Sequence, residues 1–166
     1  MSKTYDLEAV EYLAKLADGG MRDGITLLDK CLSYSQDLTM ENIVKALGVV
    51  DYNVMLKLTD AWLNVKESTV IEILEDIHNE GKDLKQFIRN YLNYVMDIKK
   101  YQIFKNFDYI SIPPTPENIK FLDMLYDIQD KDVTVLLNIL VKLNFQIKYD
   151  NSPKYLIEAV LLGGIE

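Results

Sequence analysis

The chain has 166 residues, 49% hydrophobic and 27% charged, with a formal net charge of −8 at pH 7. That balance argues against broad nucleic-acid contact, which depends on clustered Lys and Arg neutralising phosphates. Cys31 stands alone, which excludes an internal disulfide, and with His78 as the single histidine no structural zinc site can be assembled.

Almost every segment reads as helix. From Tyr5 to Ala17 the apolar residues Leu7, Val10, Leu13 and Leu16 recur at three-residue steps, and Gly19 and Gly20 end the run. Met21, Ile25, Leu28 and Leu32 then mark one face of a second helix reaching about Tyr34, with Met21, Leu27 and Leu28 expected in its core. Thr39 is placed to cap a third helix carrying Ile43, Val44 and Leu47 and stopped by Gly48.

Asp51 is expected to cap a fourth helix with the stripe Met55, Leu58, Trp62 and Val65. Ser68 opens a fifth with Val70, Leu74 and Ile77, closed by Gly81. Asp83 followed by Gln86 has the form of a capping box and starts the longest helix, along which Leu84, Ile88, Tyr91, Val95 and Ile98 follow at helical spacing. Residues 107–116 are rich in proline and predict an extended connector, because proline removes a donor and pushes its predecessor out of helical geometry. Thr115 and Pro116 restart the helix with a face of Ile119, Leu122 and Tyr126. A further helix carries Val133, Leu136, Leu140 and Leu143, and a last one starts at Ser152–Pro153 with Leu156 and Val160. No convincing strand or fixed-period repeat occurs. The expected fold is all-α, a three-helix unit over residues 1–49 followed by a bundle of about six helices over 50–166.

Within this pattern Arg22 stands out. Only two of the eighteen basic residues are arginine, Arg22 and Arg89, and Arg22 falls in the first turn of a helix. A helix N-terminus carries partial positive charge and disfavours a cation, a cost that Asp23 partly offsets. An arginine there makes better sense if an anion shares it, since helix N-termini and guanidinium forks both suit phosphate.

The stretch Gly20-Met21-Arg22-Asp23, continuing to Leu27-Leu28-Asp29, resembles the sensor-2 segment of AAA+ ATPases in the form found in the bacterial DNA polymerase III gamma/tau subunit, the ATPase of the sliding-clamp loader. Residues 39–48 resemble that family's third lid helix. Residues 79–87 resemble the turn ahead of the longest helix of its collar, and 155–162 the final collar helix. The resemblance implies a three-helix AAA+ lid followed by a helical collar, or oligomerisation, domain. It implies that Arg22, supported by Gly20, Met21 and Asp23, senses the terminal phosphates of ATP. It also implies that other clamp-loader subunits are the collar's partners, and that the sliding clamp and DNA are reached through domains not included here.

Features of an ATPase domain do not accompany this segment. The Gly81–Lys82 pair is followed by Asp83 and forms no phosphate loop, and no apolar strand ends in Asp-Glu to hold magnesium. The chain is thus expected to be lid and collar without their nucleotide domain. It should perform no catalysis alone and hold no cofactor, with ATP and Mg belonging to the full-length family member. No apolar run approaches the roughly 20 residues that span a bilayer, and the opening Met-Ser-Lys-Thr-Tyr-Asp lacks the apolar core of a secretion signal, so no membrane contact and a cytoplasmic setting are expected. The competing expectation is a stand-alone all-α interaction adaptor without nucleotide function.

Other candidates read as structure. Cys31 is expected to be a buried thiol and His78 a partly exposed helix residue. Glu72, Glu75, Asp76 and Glu80 form an acidic ladder without the paired Glu-x-x-His motifs of di-metal bundles, so no metal site is assigned. Tyr91, Tyr94, Tyr101, Phe104, Phe107 and Tyr109 combine core and interface character.

Overall fold

The computed structural model describes residues 5–17, 19–47, 52–126 and 130–164, without the side chains of 130 and 131. Its elements are α-helices joined by turns, and among the described residues the extended pairing is a single bridge between Tyr5 and Leu38. The chain divides into two compact units, one of residues 1–51 with 113–115, the other of 52–112 with 116–166. The expected division at 49/50, the Gly48 stop and the Asp51 cap lie outside the described residues.

The first unit comprises α1 (Leu7–Leu16), α2 (Met21–Tyr34) and α3 (Met40–Leu47), each packed on the other two. Ala9, Tyr12, Leu13, Cys31 and Ile43 form its core, flanked by Leu16, Leu27, Leu38, Met40, Ala46 and Leu47. Thr39 caps α3 as expected, its Oγ1 accepting from the Asn42 backbone N–H at 3.2 Å. The Asn42 side-chain amide donates to Ser35 Oγ and to the Asp37 carbonyl, both at 3.1 Å, and so fixes the α2–α3 turn.

The buried faces of α1 and α2 differ from the expected ones. Leu7 and Val10 are exposed, and the core face of α1 is Ala9, Tyr12, Leu13 and Leu16. The reason is geometric: at about 100° per residue, a strict three-residue row slips about 60° round the helix at each step and cannot stay on one contact. In α2 the row Met21, Ile25, Leu28 is a true stripe, yet it faces out, Met21 being 81% and Ile25 56% exposed. The helix instead turns Gly24, Leu27 and Cys31 inward. A Cβ at Gly24 would lie 3.5 Å from that of Ala17, so small residues on this face let the helix approach closely.

The second unit comprises α4 (Tyr52–Leu63), α5 (Glu67–Asn79), α6 (Leu84–Phe104), α7 (Pro116–Tyr126), α8 (Asp130–Gln146), a 3-10 turn (Ile147–Tyr149) and α9 (Pro153–Leu162). The long α6 is central, packing on α7, α8 and α9, while α4 packs on α5 and α5 on α9. Leu84, Ile88, Tyr91, Val95 and Ile98 of α6 are buried, as are Val133, Leu136, Leu140 and Leu143 of α8, in agreement with their periodicity. Trp62 anchors α9 by donating from Nε1 to the Leu161 carbonyl at 3.0 Å. Asp83 caps α6 through Oδ1, which accepts from the Lys85 and Gln86 amides at 2.9 and 3.2 Å. The reciprocal half of the expected box is replaced, since the Gln86 side chain pairs with Asn90 and Arg89.

Other boundaries and faces also shift. Val65 is not the end of the α4 stripe but stands exposed in a left-handed conformation at φ 56°. There the Val65 amide bonds the Trp62 carbonyl at 3.2 Å and the Lys66 amide the Ala61 carbonyl at 2.9 Å, closing the helix. This closure delivers the chain directly into α5, so Lys66 rather than Ser68 occupies the cap position. In α7 the core face is Phe121, Leu122 and Leu125, with Ile119 and Tyr126 outside; in α9 it is Ile157 and Leu161, with Leu156 and Val160 half-buried.

Residues 105–115 form the irregular connector that the prolines predict, but it is not a loose one. Ile110 and Ile112 are buried. Between them the Ser111 amide donates to Asp97 Oδ2 at 2.7 Å, while the Tyr52 hydroxyl donates to the Ser111 carbonyl at 3.2 Å.

Candidate functional site

Arg22 is the second residue of α2, after the N-cap Gly20 and Met21. Its side chain is exposed and forms no ion pair with a described residue. Its backbone carbonyl accepts from Thr26 Oγ1 at 2.9 Å, a bond that leaves the guanidinium untouched. The local partner expected for it, Asp23, is otherwise placed. A Cβ built on Gly20 would stand 2.8 Å from Asp23 Oδ2 and 3.2 Å from the Ala17 carbonyl, so the carboxylate folds back over the start of the helix. There it answers the partial positive charge of the amides. Gly20 is the residue whose lack of a side chain makes room for it. Asp18, the other possible partner, lies outside the described residues.

The site is therefore a helix start with its own carboxylate already in place, and beside it an arginine that is solvent-facing and without an ion pair among the described residues. Met21 was expected in the core and instead extends the exposed stripe that Ile25 and Leu28 continue. Chemically the arrangement offers bidentate hydrogen bonding to an anionic oxygen, without a nucleophile or a general base beside it.

The remaining candidates separate cleanly. Cys31 is buried, and loss of water around it pushes the thiol above its ordinary range, which disfavours the reactive thiolate. His78 is exposed. Of the acidic ladder, Glu75 pairs with Lys154 and Glu80 with Lys82, both at 2.6 Å, and no group of His, Cys, Asp or Glu suited to a metal ion occurs among the described residues. The same pairs neutralise the lysines lining an open groove of about 420 Å³ between His78, Lys82, Ser152 and Tyr155. The aromatic set divides, with Phe107 half-buried against Tyr101 at 5.3 Å between ring centroids. Tyr91, Tyr94 and Tyr101 are core residues, whereas Phe104 and Tyr109 are exposed, their ring centroids 4.8 Å apart. Tyr91 and Thr59 satisfy each other's hydroxyls at 3.1 Å.

Sequence reasoning missed Asp97, which is only 6% exposed and holds the connector through Ser111 while Oδ1 accepts from Lys100 Nζ at 3.2 Å. The signal was present: Asp97 falls between Tyr94 and Tyr101 at helical spacing, a carboxylate inside an apolar stripe.

A three-helix unit whose Arg22 makes no ion pair with a described residue, followed along the chain by a helical bundle, is an arrangement that suits an ATPase lid and a further all-α domain. Comparison with known proteins agrees. Residues 38–163 match the family described as DNA polymerase III subunits gamma and tau domain III, and residues 2–37 match the DNA polymerase III clamp loader subunit ATPase lid domain. The chain belongs to this gamma and tau family.

It is 26% identical to DNA polymerase III subunit tau of Bacillus subtilis (strain 168) over 170 residues, covering 98% of this chain and 30% of that protein. It is 25% identical to DNA polymerase III subunit gamma/tau of Mycoplasma genitalium over 101 residues, 60% of this chain and 17% of that protein. Replication factor C subunit 4 of Encephalitozoon cuniculi is 21% identical over 126 residues, 74% of this chain and 41% of that protein. The chain thus spans less than half the length of each of these relatives. No helix among the described residues is long and apolar enough to cross a membrane.

Proposed function

We propose that this chain is the lid and the subunit-holding part of a clamp-loader subunit acting in DNA replication, with residues 1–49 as the lid and 50–166 as the collar. In this reading Arg22 reaches the terminal phosphates of ATP, bound with Mg by an ATPase domain outside this sequence, and couples phosphate state to the angle of the lid. The observation that carries the reading is the exposed Arg22 side chain, without an ion pair to any described residue, beside a helix start whose charge Asp23 already answers. The outward Met21 and Ile25 support it, because an apolar stripe next to the arginine suits a face that another domain covers. The net charge of −8 is in keeping with a reading in which DNA is contacted by other domains.

The test is Arg22→Ala in the full-length subunit. Charge-assisted hydrogen bonds to phosphate contribute about 1.5–3 kcal/mol each, so ATP-dependent clamp loading should fall by about 10- to 100-fold. Assembly with other loader subunits should be unchanged on size exclusion. In the present chain the same substitution should leave stability within about 0.5 kcal/mol, because the side chain is exposed. Wild-type loading by the variant would remove the assignment.

A further inference from the structure

Acidic residues are spread along this chain except over two stretches. None occurs from Leu84 to Met96 or from Val133 to Tyr149, the two longest such runs in the sequence. The fold sets these runs side by side. Lys85 of α6 donates from Nζ to the Lys148 carbonyl at 3.3 Å, and Lys99 of α6 to Thr134 Oγ1 of α8 at 2.9 Å, so the two helices run antiparallel. At about 100° per residue, Lys85, Arg89, Leu92 and Met96 fall within about 60° of one another on α6, and Thr134, Val141 and Phe145 within about 40° on α8. The two bonds align these stripes along one seam.

Along its middle the seam is apolar and open to solvent: Phe145 is 71% exposed, Met96 and Val141 are exposed to a lesser degree, and Leu92 is half-buried. Towards Lys148 it becomes cationic. Arg89, Lys142 and Lys148 are exposed and Lys85 is half-buried, and none of the four makes an ion pair with a described residue. The carboxylates that bound the two runs at this end are occupied with backbone amides, Asp83 with those of Lys85 and Gln86 and Asp150 with that of Ser152.

We infer that this seam docks an amphipathic, acidic helix of a partner protein, its apolar stripe along the middle of the seam and its Asp and Glu residues at the cationic end. A furrow between two antiparallel helices receives apolar anchors one turn apart, and Met96 and Phe145 supply an adaptable and a rigid contact for them. Charge complementarity selects the acidic partner. The net charge of −8 repels such a helix over the rest of the chain, and this seam is where it meets cations without competing carboxylates. An apolar middle gives phosphates nothing to bond, which sets nucleic acid behind a peptide. The seam lies on the second unit and uses neither Arg22 nor the lid, so the inference goes beyond the function proposed above.

Fluorescence anisotropy of the full chain with labelled synthetic peptides tests it. The probe carries a leucine stripe at helical spacing with Glu and Ala elsewhere; one control replaces Glu by Lys, and a second scrambles the probe to remove the stripe. The probe should bind, less tightly as salt rises, and both controls should bind at least about tenfold more weakly. Lys142→Glu with Lys148→Glu should weaken binding by about tenfold or more, as should Phe145→Ser, whereas Lys142→Arg with Lys148→Arg should retain it. All these positions are exposed, and circular dichroism verifies that the variants fold. Arg22→Ala should leave peptide binding unchanged, so the seam and the phosphate sensor stand or fall separately. A wild-type chain that ignores the probe, a scrambled peptide that binds as well, or binding that survives both the charge reversal and Phe145→Ser overturns the proposal. So does tighter binding of a labelled oligothymidylate that the charge reversal abolishes, which would give the seam to nucleic acid. Self-association in sedimentation velocity that Phe145→Ser abolishes would give it to a second copy and equally overturn the proposal.

Discussion

The closures of α4 and α5 use one backbone device with two different residues, and that contrast yields a quantitative test. After α5, Gly81 takes φ 70°, its amide bonds the His78 carbonyl at 3.0 Å and the Lys82 amide bonds the Ile77 carbonyl at 3.3 Å. After α4 the same pattern of bonds is made around Val65 at φ 56°. A left-handed conformation costs an L-residue about 1–2 kcal/mol relative to a right-handed one, and a β-branched side chain is the least tolerant of it. Val65→Gly removes that strain. Against it stands the extra freedom glycine gives the unfolded chain, about 0.5–1 kcal/mol. The valine side chain is more than half exposed, so little burial is lost. The net expectation is a stabilisation of about 0.5–1 kcal/mol.

Gly81→Val is the mirror experiment. A Cβ there meets nothing within 4 Å, so its effect is conformational alone and should destabilise by about 1 kcal/mol. Trp62 is the single tryptophan and lies in the same unit, so its fluorescence during urea unfolding reports both variants. The midpoints should move in opposite directions by up to about 0.5 M at unchanged slope. A Val65→Gly variant less stable than wild type, or a neutral Gly81→Val, would refute the strain argument.

Asp97→Ala strips the part-buried Ser111 amide of its acceptor and leaves Lys100 unpaired, and should cost about 1–2 kcal/mol, whereas Asp97→Asn, which keeps an oxygen, should lose less; hydrogen exchange at Ser111 and urea unfolding measure both. Cys31 should resist thiol reagents near pH 8 and react at the rate of unfolding, since burial disfavours its thiolate; fast labelling of the folded chain would contradict its placement. Burial pushes Tyr101 up to about 12, reinforced by its 2.7 Å bond to Asp123, and raises Tyr91 and Tyr94 as well. Because these folded-state values lie above the unfolded one near 10, the stability they contribute is complete below about pH 10 and is lost as pH rises towards 12. Tyrosinate absorbance should therefore show Tyr91, Tyr94 and Tyr101 ionising only in strongly alkaline solution, together with loss of helix.

The sequence by itself determined the helical identity of this chain and most of its punctuation. Thr39 and Asp83 cap where their short oxygen side chains can reach free amides, Gly19 and Gly81 take the positive φ that ends a helix, and the α6 and α8 stripes bury as written. These are local effects, settled within a turn or two of chain. The motif around Arg22 was legible for the same reason, and so was the family. Which side of each helix faces inward was decided by tertiary structure. The outward turn of Met21 and Ile25 follows from α2 meeting α1 and α3 with its Leu27 and Cys31 side, a packing choice that an apolar count along one helix does not contain. Asp97 became a connector anchor because Ser111, 14 residues onward, returns to it, and the turn after α8 is tied down because Lys85 of α6 reaches the Lys148 carbonyl. Periodicity fixes a helix, but only the neighbours that pack against it determine which of its residues become core and which become surface.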